Sequence, residues 1–153
     1  MGSKVKWRAK RLDPAVHHLF LVKHNPNGES KVSRGRLLWE GYLTPTPLSQ
    51  TYKVRIRYRP GDTPDVQVLE PKLRTSDHEN LPHIYPGDRL CLYYPGEWNG
   101  SEQIGETIIP WVAEWLYHYE IWRATGTWSG GGEHPKVKSR NKPRGRDDVA
   151  SSN

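Results

Sequence analysis

The chain has 153 residues, a formal net charge of +6, seven tryptophans, eight tyrosines, thirteen prolines and a single cysteine. One cysteine excludes an internal disulfide, no paired Cys/His spacing suggests a zinc site, and the longest apolar runs, HLFLV and TIIPWV, are too short to span a bilayer. About one domain's length is enough for a core without covalent staples, and the N-terminus lacks the apolar stretch of a secretory signal, so a single-domain protein of the cytoplasm is expected.

Much of the charge sits at the ends. Lys4, Lys6, Arg8, Lys10 and Arg11 crowd residues 1–11, which read as a basic, polar arm, and residues 130–153 hold six Lys/Arg against three acids. Residues 129–153, Gly-rich and basic, are predicted to be a solvated, disordered tail. Between them, LDPAVHHLFLV (12–22) fits a short helix capped by Asp13 with Pro14 at its first position, and fits a strand through HLFLV equally well. NPNG (25–28) marks a turn.

GRLLWEGYL (35–43) predicts a strand, and TPTPLSQ breaks it with two prolines. YKVRIRY (52–58) alternates strictly, with Tyr52, Val54, Ile56 and Tyr58 on one face and Lys53, Arg55 and Arg57 on the other, as a half-buried antiparallel strand does. VQVLEP (66–71) alternates again after the turn RPGDTPD, giving a three-stranded meander. KLRTSDHENLPHIYPGDRLC then runs for about twenty residues without periodicity, a length that marks functional loops. Beyond Trp98, Ile108, Trp111, Trp115, Tyr119 and Trp122 recur at three- and four-residue steps, predicting an amphipathic helix over 108–124 with Pro110 in its first turn and Gly126 as its stop. That aromatic stripe is read as core. The expected class is α+β, a meander followed by a long loop and a main helix packed on the sheet.

The loop carries the chemistry on offer. A cysteine nucleophile works as thiolate beside a group that steadies the charge developing on an attacked carbonyl. Around Cys91 stand His83, Asp88, Arg89, Tyr93, Tyr94 and Glu97, and the histidines His78, His83, His118 and His134 are all candidate partners. On chemistry alone, a structural and a reactive Cys91 are equally consistent with the residues.

LPHIYPGDRLCL (81–92) resembles the active-site stretch of ubiquitin-conjugating (UBC) enzymes. In that family a His-Pro-Asn tripeptide, a hydrophobic residue, often Tyr, and a Gly-containing turn precede the catalytic cysteine. Pro82 falls on the tripeptide's proline, Ile84 and Tyr85 follow, and Cys91 stands at the expected spacing from His83, which occupies the asparagine's place. Leu81 replaces the tripeptide's histidine. LLWEGYLTPTPLSQTYKVRIRY and PDVQVLEP are similar to the family's first strands, Trp98 lies near the family's tryptophan, and the 108–124 helix matches its crossing helix. The final part, PWVAEWLYHYEIWRATGTWSGGGEHP, is similar to prokaryotic UBC-like proteins encoded beside cGAS-like nucleotidyltransferases in cyclic-oligonucleotide anti-phage (CBASS) operons.

The resemblance implies a UBC-like fold over residues 12–128 and a bacterial acyl transferase that works without a cofactor. Cys91 would form a thioester with the C-terminus of a protein partner, a cGAS-like nucleotidyltransferase, and pass it to an amine or thiol. His83 would steady the oxyanion, Pro82 and Tyr85 would hold the loop, Trp98 would pack beneath it, and His134 would approach the site. No adenylating domain or phosphate-binding glycine loop is present, so a separate activating enzyme is an expected partner. A non-catalytic adaptor is the other reading that the resemblance allows. A nucleic-acid reader rests only on the basic tail and the Lys53/Arg55/Arg57 face and lacks a recognition motif.

Overall fold

The computed structural model describes residues 10–74 and 81–131. The order is α1 (Pro14–His24), β1 (Gly28–Ser33), β2 (Arg36–Leu43), β3 (Tyr52–Tyr58), β4 (Asp65–Glu70), β5 (Ile84–Tyr85), β6 (Arg89–Leu90) and α2 (Ile108–Thr125). The strands form one antiparallel sheet ordered β1-β2-β3-β4-β6-β5, so the fold is α+β as expected.

The segment at 12–22 resolves to helix. The Asp13 side chain accepts from the Ala15 amide at 2.8 Å, and Pro14 occupies a first-turn position whose N–H would have no helical partner anyway. α1 packs on β1 and β2, burying His17 and Leu21. The sheet is wider than the predicted three-stranded meander. β1 (GESKVS) pairs along β2 from Gly28↔Gly41 to Ser33↔Arg36. It buries no apolar face, so its sequence carried no strand periodicity; backbone pairing with β2 and the packing of α1 hold it. At its first pair the Trp39 indole lies across Gly28 and Gly41, where a Cβ on either residue would come far inside contact distance of the ring carbons. The two-residue strands β5 and β6 lie within the aperiodic loop and continue the sheet beyond β4.

The core sits between the inner sheet face and α2. β2 contributes Leu37 and Trp39, β3 contributes Tyr52, Val54, Ile56 and Tyr58, and β4 contributes Val66. α2 answers with Ile108, Val112, Trp115, Leu116, Tyr119 and Trp122. Its end is set by Gly126, in the left-handed region at φ 77°, whose amide donates to the Trp122 carbonyl at 2.7 Å. Glu120 ties the helix to the connection before β3: its carboxylate accepts from Ser49 Oγ (2.7 Å), the Gln50 amide (3.2 Å) and the Tyr52 hydroxyl (2.9 Å). Burial and that last bond hold the Tyr52 phenol far above its ordinary range. Among the described residues, no helix is long and apolar enough to cross a membrane.

Candidate active site

The segment from Leu81 to Cys91 turns back on itself and is fastened at its ends. β5 and β6 pair through Ile84↔Leu90 and Tyr85↔Arg89 across the turn Pro86-Gly87-Asp88. Gly87 and Asp88 both have positive φ, at 82° and 58°. Asparagine, aspartate and glycine tolerate that region best, so the Gly-Asp pair suits the turn. Gln67 braces the turn from β4 by donating to the Gly87 carbonyl at 3.1 Å, and Arg89 Nε donates to the Pro86 carbonyl at 3.3 Å.

His83 is the hub. Its backbone takes φ 52°, a conformation that costs a non-glycine residue on the order of 1 kcal/mol. The surroundings hold it there. Its carbonyl accepts the Cys91 amide at 2.9 Å and the Trp115 indole N–H, from α2, at 3.0 Å. One backbone oxygen therefore fixes the cysteine's main chain and the helix to the same point. The His83 ring is buried and lies 5.0 Å from the Trp128 ring.

Cys91 is free and half-buried. Its thiol donates to the Tyr85 hydroxyl at 3.4 Å, and this contact, followed by burial, pushes the Tyr85 phenol up. Cys91 lines a cleft of about 190 Å³ together with His83, Tyr93, Trp111, Glu114, His118 and Trp128, with Glu97 at its rim. Tyr93 and Trp111 form one wall, their rings 5.3 Å apart, and burial pushes the Tyr93 phenol up to about 12. Trp128 forms the other, packed on Trp115 at 5.4 Å and on His118 at 5.8 Å. His118 Nδ1 lies 2.8 Å from Ser129 Oγ, and its Nε2 lies 3.8 Å from a Glu114 oxygen.

The sequence-derived candidates fall in three places. Cys91 and His83 line one cleft, with Tyr85 in contact with the sulfur. Pro82 is half-buried beside His83. Trp98 is buried away from the cleft: its indole donates to Thr107 Oγ1 at 3.0 Å, and its ring stands edge-on to Tyr58 at 5.5 Å. His134 and His78 lie outside the described residues, as does most of the tail expected at 129–153 and of the arm at 1–11.

One reading of the aromatic stripe needs correction. Ile108, Trp115, Tyr119 and Trp122 are core, but Trp111 is only half-buried: it packs on the edge of the core and also walls the cleft. α2 carries two stripes. Trp111, Glu114, Trp115 and His118, at steps of i, i+3, i+4 and i+7, share a face turned toward Cys91, and that spacing was available in the sequence.

A larger groove of about 830 Å³ runs along the outer sheet face past Lys31, Arg36, Arg57 and Arg59. No cysteine or histidine among the described residues lines it. One row further along that face, Arg55 is paired with Glu40 at 2.7 Å, so the expected basic face is partly neutralised. Among the described residues, no group of three or more His, Cys, Asp or Glu side chains could hold a metal ion.

No curated protein matches the chain. A family model described as Type II CBASS E2 protein matches residues 17–135, spanning the sheet, the Cys91 loop, α2 and the segment that carries Trp128. E2 is the conjugating class to which the 81–92 stretch bears its likeness, and the match extends over more than three-quarters of the sequence. The chain belongs to the Type II CBASS E2 family.

Proposed function

We propose that this CBASS E2 protein is an acyl carrier that holds the C-terminus of a protein partner as a thioester on Cys91 and transfers it to an amine or thiol. The observation that carries the reading is the placement of the chain's only cysteine. Its backbone is fastened to a strained His83 while the residue lines an open, aromatic-walled cleft. A purely structural cysteine needs neither the anchoring nor the opening.

The chemistry runs in two exchanges. The Cys91 thiolate attacks an activated carbonyl, a sulfur–carbon bond forms, and the original leaving group departs with its electron pair. An acceptor then attacks the new thioester and Cys91 leaves as thiolate. Each attack places negative charge on the carbonyl oxygen, and a ring N–H of His83 is suited to receive it. Pro82 restricts the backbone before His83, and Tyr85 fixes the sulfur. His134, a third candidate of this reading, follows the cleft-lining Gly131 by three residues. Residues 12–128 form the conjugating unit, flanked by the basic arm and tail.

The donor partner is a cGAS-like nucleotidyltransferase through its C-terminal tail, and activation of that carboxyl falls to a separate enzyme. Both act in the cytoplasm, where a lone thiol stays reduced. Co-expression with the cognate nucleotidyltransferase, followed by intact mass and non-reducing gels, tests the proposal. The wild type is expected to form a thiol-sensitive adduct, Cys91→Ser a more stable ester, and Cys91→Ala none. If all three bind the partner equally and none forms an adduct even with an activating enzyme added, the protein is an adaptor.

A further inference from the structure

We infer that His118 is the proton acceptor for an amine attacking the Cys91 thioester. This rests on the acyl-carrier reading and names a residue that the 81–92 stretch does not contain.

Among the described residues, the cleft holds two imidazoles in different settings. His83 is buried, and its backbone and ring are both engaged in shaping the loop. His118 sits across the cleft on α2, its side chain 18% exposed, with its two ring nitrogens facing different groups. Nδ1 meets Ser129 Oγ at 2.8 Å, and with Nδ1–H donating to that oxygen the lone pair falls on Nε2. Nε2 faces Glu114, whose carboxylate is 69% exposed and therefore has room to swing aside for an incoming cation. Once protonated, the ring gains an ion pair with that carboxylate. An orienting group on one nitrogen and a carboxylate beside the other are what a general base needs.

An amine acceptor reaches the cleft as ammonium and cannot attack until it loses a proton. The Glu114 and Glu97 carboxylates attract the cation, and the Trp111 and Trp128 rings flank it. Nε2 of His118 takes one proton. The neutral nitrogen attacks the thioester carbonyl, the C–N bond forms, and the C–S bond breaks. Cys91 leaves as thiolate and recovers the second nitrogen proton, and His118 returns its proton to solvent. No further reactant is needed.

The test uses the full-length protein loaded by thiol exchange with a synthetic peptide thioester, so that no activating enzyme is involved. Discharge of the purified adduct is timed with lysine and with hydroxylamine, an amine already neutral near neutral pH. His118→Gln is expected to load at the wild-type rate, to discharge to lysine about 100-fold more slowly, and to discharge to hydroxylamine within about twofold of wild type. Ser129→Ala, which loses only the orienting bond, is expected to show the same selective loss at a smaller size. Equal slowing with both amines would make His118 a structural residue and overturn the assignment, as would unchanged lysine discharge. Failure of the wild type to load would instead remove the acyl-carrier reading, and this assignment would fall with it.

Discussion

The paired strands β2 and β3 and the 81–91 segment are both held in place, but by different means. Along β2 and β3 seven consecutive pairs, from Leu37↔Tyr58 to Leu43↔Tyr52, share the work, and alternate residues fill the core. In the loop, a few single contacts act alone: one carbonyl with two donors, one two-residue hairpin and one phenol on a sulfur. A region with redundant support loses stability when altered and keeps its geometry. A region with single supports keeps its stability and loses its geometry. Function should therefore fail in two separable ways.

The largest effect is expected at the sheet centre. Ile56 is fully buried between Trp39 of β2 and Val66 of β4, its register partners, and under α2. Ile56→Ala should cost about 2–5 kcal/mol, read as a lower denaturation midpoint. At a temperature where the variant is still folded, alkylation of Cys91 should match the wild type. A slowed thiol in the folded variant would mean that sheet and loop are one mechanical unit, and the comparison would fail.

Trp115→Phe cuts the other way. It removes the indole N–H from the His83 carbonyl but leaves a ring in the core, so a loss of about 1–2 kcal/mol is expected. The Cys91 amide still donates to that carbonyl, yet the loop is no longer fastened to α2. Thioester loading should fall by a larger factor than Ile56→Ala produces at matched fraction folded. Equal loading in the two variants would show that the hub is dispensable.

His17 offers the same kind of single anchor at the far side of the fold, with pH as the lever. It is buried on α1, where its Nδ1 accepts the Ile104 amide at 3.4 Å and its ring stands edge-on to Tyr58. Burial lowers its pKa below the ordinary 6.5, against smaller upward pushes from the Gly100 backbone and Asp13. The unfolded chain then binds the proton more readily than the native one. Stability from this site is complete above about pH 6.5 and is lost as pH falls below it. Melting points between about pH 8 and pH 5 should show a drop that His17→Asn flattens. A drop that persists in the variant would place the acid sensitivity in other groups.

What was legible in the sequence follows the same division. Tyr52 to Tyr58 could be read because strict alternation is the imprint of a half-buried strand, and α2 because its apolar residues recur at helical steps. β1 was not legible, since GESKVS is held by backbone pairing and leaves no apolar trace. Cys91 and His83 could be aligned through a resemblance, but their shared cleft depends on a positive φ and a carbonyl with two donors, neither of which composition encodes. The second stripe of α2 was written in the spacing of Trp111, Glu114 and His118 and was hidden by the stronger core stripe beside it.

The smallest and most local test is Tyr85→Phe, which deletes one oxygen 3.4 Å from the Cys91 sulfur and leaves the ring in place. The half-buried residue sits on a two-residue strand, so stability should change by less than about 0.5 kcal/mol. As a neutral thiol, Cys91 donates to the phenol; as a thiolate it must be the acceptor, and the phenol supplies the proton. Removing the phenol takes an acceptor from the neutral thiol and a donor from the thiolate, and the bond to the charged form is the stronger of the two. Alkylation of Cys91 near neutral pH should slow by a few-fold while the melting point holds. An unchanged alkylation rate would mean that the phenol stabilises thiol and thiolate equally, and the sulfur's reactivity would then be set by the cleft as a whole.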